Sequence, residues 1–105
     1  GYKTILPEIT VTSTSGIGVT GATSQIIIAN TGCNEIDLNL NTTIIGTSIK
    51  VKNIHGQIIS IISAGGGTIN GLDADTTTLG TAYELTGVNS VVELIKTGVS
   101  SWETI

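Results

Sequence analysis

The stretch Gly16-Ile-Gly-Val-Thr-Gly matches the GxGxxG spacing of a dinucleotide-binding turn. Glu35 and Asp37 follow at about the distance at which an acid would meet a ribose hydroxyl. That chemistry needs a helix opening on the last glycines, so that its first amides can meet the pyrophosphate. Ala22-Thr-Ser-Gln-Ile-Ile-Ile follows instead, a run whose β-branched residues suit a strand. The motif therefore reads as a flexible turn, and no cofactor is expected.

Other constellations are equally sparse. Asn70, Asp73 and Asp75 carry the hard oxygens that a calcium ion takes, but two acids without EF-hand spacing predict a solvated turn and no metal. His55, the only imidazole, sits in Asn53-Ile-His-Gly with few partners for a metal site or a catalytic dyad, and reads as an exposed loop residue. Cys33 is the only cysteine, which forbids an intramolecular disulfide and points to a small buried apolar role. Serines abound without a GxSxG elbow, and Glu8, Glu84, Glu93 and Glu103 read as wet-face residues. No catalytic residue is expected, and the chain does not read as an enzyme.

Binding is the remaining chemistry. Saccharide surfaces use aromatic rings against apolar CH patches, with Asn, Asp and Thr fixing the hydroxyls. The aromatic residues are Tyr2, Tyr83 and Trp102. Trp102 reads as a core or interface residue and Tyr83 as the exposed ring. Loops held by a rigid scaffold are where recognition concentrates. The expected receptor-binding residues are therefore Tyr83, Asn70, Asp73 and Asp75, in the segments Ala64 to Asp75 and Gly80 to Tyr83.

These loops must hang on strands. Short apolar runs, Ser48-Ile-Lys-Val-Lys, Gln57-Ile-Ile-Ser-Ile-Ile and Val91-Val-Glu-Leu-Ile, lack a helical period and are broken by Gly65-Gly-Gly and Asn70-Gly71. Strands are predicted over Tyr2 to Val11, Gln25 to Ala29, Glu35 to Leu40, Thr43 to Ile45, Ser48 to Asn53 and Gln57 to Ser63. Further strands are predicted over Thr68 to Ile69, Thr76 to Leu79, Ala82 to Leu85, Ser90 to Lys96 and Trp102 to Ile105. Pro7 confines the first strand to an edge. Alternation in Glu35-Ile-Asp-Leu-Asn-Leu gives one wet face, whereas Ile26-Ile-Ile is apolar on both.

The chain's 105 residues make one domain, divided as an N-terminal strand and small-residue connector over 1–24 and a β-sandwich module over 25–105. Charged residues are 11% of the chain against roughly 25% in an average soluble domain, which predicts surface hidden in a symmetric oligomer. A net charge of −4 with four lysines and no Arg argues against nucleic acid. No apolar run approaches the roughly 20 residues that span a bilayer, and the N-terminus lacks the build of a signal peptide, which suggests a fragment or a mature product.

The spelling from residue 48 onward adds a resemblance. Ile49-Lys-Val-Lys-Asn, Ile58-Ile-Ser-Ile, Gly66-Gly-Thr-Ile-Asn-Gly, Tyr83-Glu-Leu, Ser90-Val-Val-Glu-Leu, Gly98 and Trp102-Glu-Thr-Ile together resemble a β-rich module found near the C-termini of bacteriophage tail-fibre and spike proteins. Gln25-Ile-Ile-Ile-Ala-Asn-Thr and Glu35-Ile-Asp-Leu-Asn-Leu resemble its earlier strand pair, so the likeness covers about three quarters of the chain. Asn41, Asn70 and Thr97 depart from the Pro and Asp residues of that pattern, and no role is carried over for the missing acids. The resemblance implies an antiparallel, jelly-roll-like β-sandwich assembled as a homotrimer, with a β-prism or intertwined trimeric structure as the alternative. It also implies a virion fibre or spike domain at the particle surface, attaching to a glycan or protein receptor of the host. A purely structural trimerisation or decoration module and a lectin-like adhesin are the other readings.

Overall fold

The computed structural model describes residues 8–12, 17–18, 24–38, 45–63, 65–75 and 83–105. All regular structure among them is β. The strands are β1 (Glu8–Val11), β2 (Ile17–Gly18), β3 (Gln25–Ala29), β4 (Glu35–Asp37), β5 (Ser48–Asn53) and β6 (Ile59–Ile62). They continue with β7 (Thr68–Ile69), β8 (Leu72–Asp73), β9 (Tyr83–Leu85), β10 (Ser90–Lys96) and β11 (Ser101–Thr104).

The strands form two packed sheets, one ordered β1-β3-β5-β10-β11-β7-β8 and the other β2-β4-β6-β9. From β1 to β6 the chain alternates between them, and each return lands parallel to the previous strand of that sheet: β1 on β3 on β5, and β2 on β4 on β6. A parallel pair needs a long crossover, usually a helix. Here the opposite sheet serves as the crossover, so this half of the molecule is a flattened coil. Its corners widen by a residue at each turn, from Val11 to Ile17, Ala29 to Ile36 and Asn53 to Ile61. Antiparallel β9 and β10 then close the coil on β6 and β5.

An all-β sandwich is thus present, but the expected antiparallel pairing holds only for β5–β10, β10–β11, β6–β9 and β7–β8. The remaining ladders, β7–β11 included, are parallel. The small-residue connector also departs from expectation, because Ile17–Gly18 within it is a strand on β4. The hairpin strand β8 was not foreseen. The predicted strand Thr76 to Leu79 and most of Thr43 to Ile45 lie outside the described residues, and Ile45 itself is in a turn.

Alternation decides what each strand buries. In β5, Ile49, Val51 and Asn53 point inward, and in β10 Val92, Leu94 and Lys96 do. Across the sheets, Ile27, Val51 and Val92 form one inward row, facing Ile36, Ile59, Ile61 and Leu85 of the other layer. Each buried aliphatic side chain stabilises by roughly 1.5–3 kcal/mol relative to exposure. Trp102, fully buried, fills the end of this core beside Ile69, as the sequence predicts.

Candidate functional site

The structure separates the residues expected to bind. Asn70 and Gly71 form the two-residue turn of the β7–β8 hairpin, with φ of 55° and 78°. Positive φ at both positions is what a type I′ turn requires, and Asn-Gly supplies it at little steric cost. The Asn70 amide is spent internally: Nδ2 donates to Thr104 Oγ1 and Oδ1 accepts from the Thr104 amide. Asp73, exposed on β8, accepts the Asp75 amide at 3.2 Å, an Asx-type turn. A hydrogen bond from the Asp73 side chain, followed by desolvation and like charge, raises the Asp75 carboxyl above its ordinary range.

Tyr83 lies elsewhere, on edge strand β9 of the smaller sheet. Its cross-strand partner is buried Ile61, and its ring packs half-buried against the core. The Tyr83-Glu84-Leu85 alternation accounts for this, since Leu85 is inward and Glu84 is exposed. Tyr83 is therefore a corrected expectation as a freely exposed ring. His55 differs too: it is half-buried, its amide donates to Asn53 Oδ1, and its Nε2 is shielded from solvent. Among the described residues no group of three or more His, Cys, Asp or Glu side chains is placed to hold a metal ion.

What sequence reasoning missed lies on the outer face of the smaller sheet. Glu35 pairs with Ser60 and Ser60 with Glu84, so these three form a row across β4, β6 and β9. Their neighbours Ile36, Ile61 and Tyr83 form the corresponding inward row. Beside the outward row is a shallow cleft of about 320 Å³ lined by Asn34, Glu35, Ile58 and Ser60. Ile58 is 52% exposed. Strand spacing of roughly 4.8 Å sets Glu35 and Glu84 about two strand widths apart, one on each side of the serine.

The row offers carboxylate and amide acceptors, a hydroxyl and a small apolar surface. That set suits hydrogen bonding to a hydroxyl-rich ligand against a CH patch. The described lysines Lys50, Lys52 and Lys96 all stand on the other sheet, so the cleft face is acidic. An anionic ligand would meet repulsion there. Periodicity marks Glu35 and Glu84 as wet-face residues, but the run Ile58-Ile-Ser-Ile-Ile reads as apolar on both sides, and only the register between distant strands brings Ser60 into one row with them.

Comparison with protein-family profiles, with curated proteins and with solved structures finds no match to this chain.

Proposed function

We propose that the chain is a trimeric fibre or spike domain of a virion that contributes to attachment to the host surface. The observation that carries the reading is the outward row Glu35-Ser60-Glu84 beside its cleft, displayed on a two-layer aliphatic scaffold. The tail-fibre-like spelling of residues 48–105 supports the setting. Self-association is supported by Leu72, Val99 and Ile105, apolar side chains 71%, 82% and 69% exposed at or beside β8, β10 and β11. The fitting receptor class is a neutral saccharide or another hydroxyl-rich surface group.

Adsorption of the purified domain to host cells and glycan arrays tests this, with the double substitution Glu35→Ala and Glu84→Ala as control. Attachment predicts adsorption that falls in the folded double variant. Sedimentation equilibrium at micromolar concentration should return the trimer mass, and a monomer alone would overturn the assembly. Undetectable adsorption by the unmodified domain would instead favour a purely structural module, a reading supported by the internal use of Asn70.

A further inference from the structure

Asn70-Gly71 is the one Asn-Gly step in the chain. An asparagine followed by glycine is an especially reactive setting for loss of the side-chain amide, because no Cβ shields the next backbone nitrogen. That nitrogen attacks Asn70 Cγ, the Cγ–Nδ2 bond breaks, and ammonia leaves carrying the proton from Gly71 N. Water then opens the five-membered imide at either carbonyl, giving aspartate or, with the main chain rerouted through Cβ and Cγ, isoaspartate. Both residues are exposed, and among the described residues nothing stands within 4 Å of the position that a Gly71 Cβ would take, so water reaches the turn.

Two features hold the step back in the folded chain. Ring closure needs Gly71 N to eclipse Asn70 Cβ about the Cα–C bond, whereas the left-handed backbone at Asn70, with φ of 55°, sets the two nearly opposite. The leaving amide is engaged as well: Nδ2 donates to Thr104 Oγ1 at 3.1 Å, and Oδ1 accepts the Thr104 amide at 2.9 Å. Cγ cannot swing to the backbone nitrogen without giving up both bonds. Turn and clamp yield together when the β7–β8 hairpin lifts from β11. That is a small event, since β7 and β8 are 2 residues each and β8 is the outermost strand of its sheet.

We propose that Asn70 is a self-modification site gated by the β7–β8 hairpin: it converts to aspartate and isoaspartate only while the hairpin is open, and the isoaspartate then keeps the hairpin open. Aspartate retains an acceptor for the Thr104 amide and re-forms the turn. Isoaspartate adds a methylene to the main chain inside a two-residue turn, so Ile69 and Leu72 lose their register. The modification is thus a slow, one-way release of the outer edge of the larger sheet, with a negative charge added at each conversion.

The whole chain is held in mildly alkaline buffer, without denaturant and in a guanidinium chloride series that reaches full unfolding. Mass spectrometry of the digested protein reads the exchange of amide for acid at Asn70, and chromatography of the same peptide separates the two products. Conversion is expected to be at least about tenfold slower in the native protein than in the unfolded chain, and to climb with denaturant below the global transition, as for a sub-global opening. Thr104→Val keeps the backbone donor and removes the acceptor of Nδ2, and should speed native conversion about threefold or more. The isoaspartyl protein, once purified, should unfold at lower denaturant than the aspartyl protein. Absence of conversion in the unfolded chain would overturn the site. Native conversion as fast as unfolded, a rate that rises only with the global transition, or an unchanged rate in folded Thr104→Val would overturn the gate. If Thr104→Val does not fold, the denaturant dependence of the unmodified chain decides alone. An isoaspartyl protein as stable as the aspartyl one would overturn the release.

Discussion

Asn70 and Thr104 close on each other across the edge of the larger sheet: Asn70 Nδ2 donates to Thr104 Oγ1 at 3.1 Å, and Asn70 Oδ1 accepts the Thr104 amide at 2.9 Å. The Asn70 amide N–H also donates to Trp102 O at 2.9 Å. One residue thus makes the turn of the β7–β8 hairpin and clamps it to β11. Because an isolated two-stranded hairpin is marginal in water, this clamp is what makes so short a pair persist.

Asn70→Ala should therefore cost about 1–2 kcal/mol, combining lost side-chain hydrogen bonds with a non-glycine, non-asparagine residue at positive φ. The shift of the urea midpoint measures it. If stability were unchanged while adsorption to cells disappeared, Asn70 would be a ligand contact and not a clamp.

Asn53 does the same work inside the core, and its loss should cost more. Its Nδ2 donates to Gln57 O at 2.6 Å and Leu85 O at 3.2 Å, while Oδ1 accepts the amides of His55 and Gly56, both at 3.1 Å. The residue is fully buried, so Asn53→Ala strands several backbone groups away from water. A loss of roughly 2–4 kcal/mol is expected, larger than for Asn70→Ala in the same denaturant series. An effect below that of Asn70→Ala would contradict the buried-network account.

Much of the strand content was legible, and for a definite reason. Gln25 to Ala29, Ser48 to Asn53 and Ser90 to Lys96 coincide with β3, β5 and β10 because their period of two comes from local sterics and burial. Pairing direction was not legible, because alternation says which face a residue takes and nothing about which strand lies alongside. Hence an antiparallel sandwich was read where Ile27 lies parallel to Val51. The same blindness hid the candidate site: Glu35, Ser60 and Glu84 are neighbours only through β4–β6–β9 register. Lys96 takes an inward place in spite of its charge, because it continues the period of Val92 and Leu94.

Trp102→Ala should destabilise the fold by roughly 3–5 kcal/mol, as for a large aromatic removed from a core. Calorimetric melting checks this. An unchanged melting temperature would be incompatible with a fully buried indole.

The Asp73–Asp75 pair should make a small, acid-side contribution to stability. The Asp73 side chain, as hydrogen-bond partner, raises the Asp75 carboxyl above its ordinary 3.8. A folded-state value above the unfolded one means that the stabilisation is fully present below pH 3.8 and is lost as pH rises through the raised value. Asp75→Asn, which cannot titrate, should flatten that part of the stability profile, measured by urea midpoints between acid and neutral pH. A profile of identical shape in the variant would remove the pair as its cause.

Cys33 should behave as an inert thiol until the fold opens. It is fully buried, its Sγ lies 3.8 Å from Glu35 O, and desolvation pushes its titration above the ordinary 9.0 against the smaller pull of that carbonyl contact. The thiolate is the nucleophile, so burial suppresses reaction twice, by limiting access and by keeping the proton on sulfur. Alkylation by iodoacetamide at pH 8 should run at least about tenfold slower than for a cysteine peptide, and should recover fully in denaturant. The sign of the shift also fixes the pH response: the neutral thiol's stabilisation is present below pH 9.0 and is lost as pH rises through the raised value. Cys33→Ala should therefore remove that alkaline loss while costing some packing stability at neutral pH. Rapid labelling of the native protein would show that the Ala29-to-Ile36 corner opens locally without global unfolding.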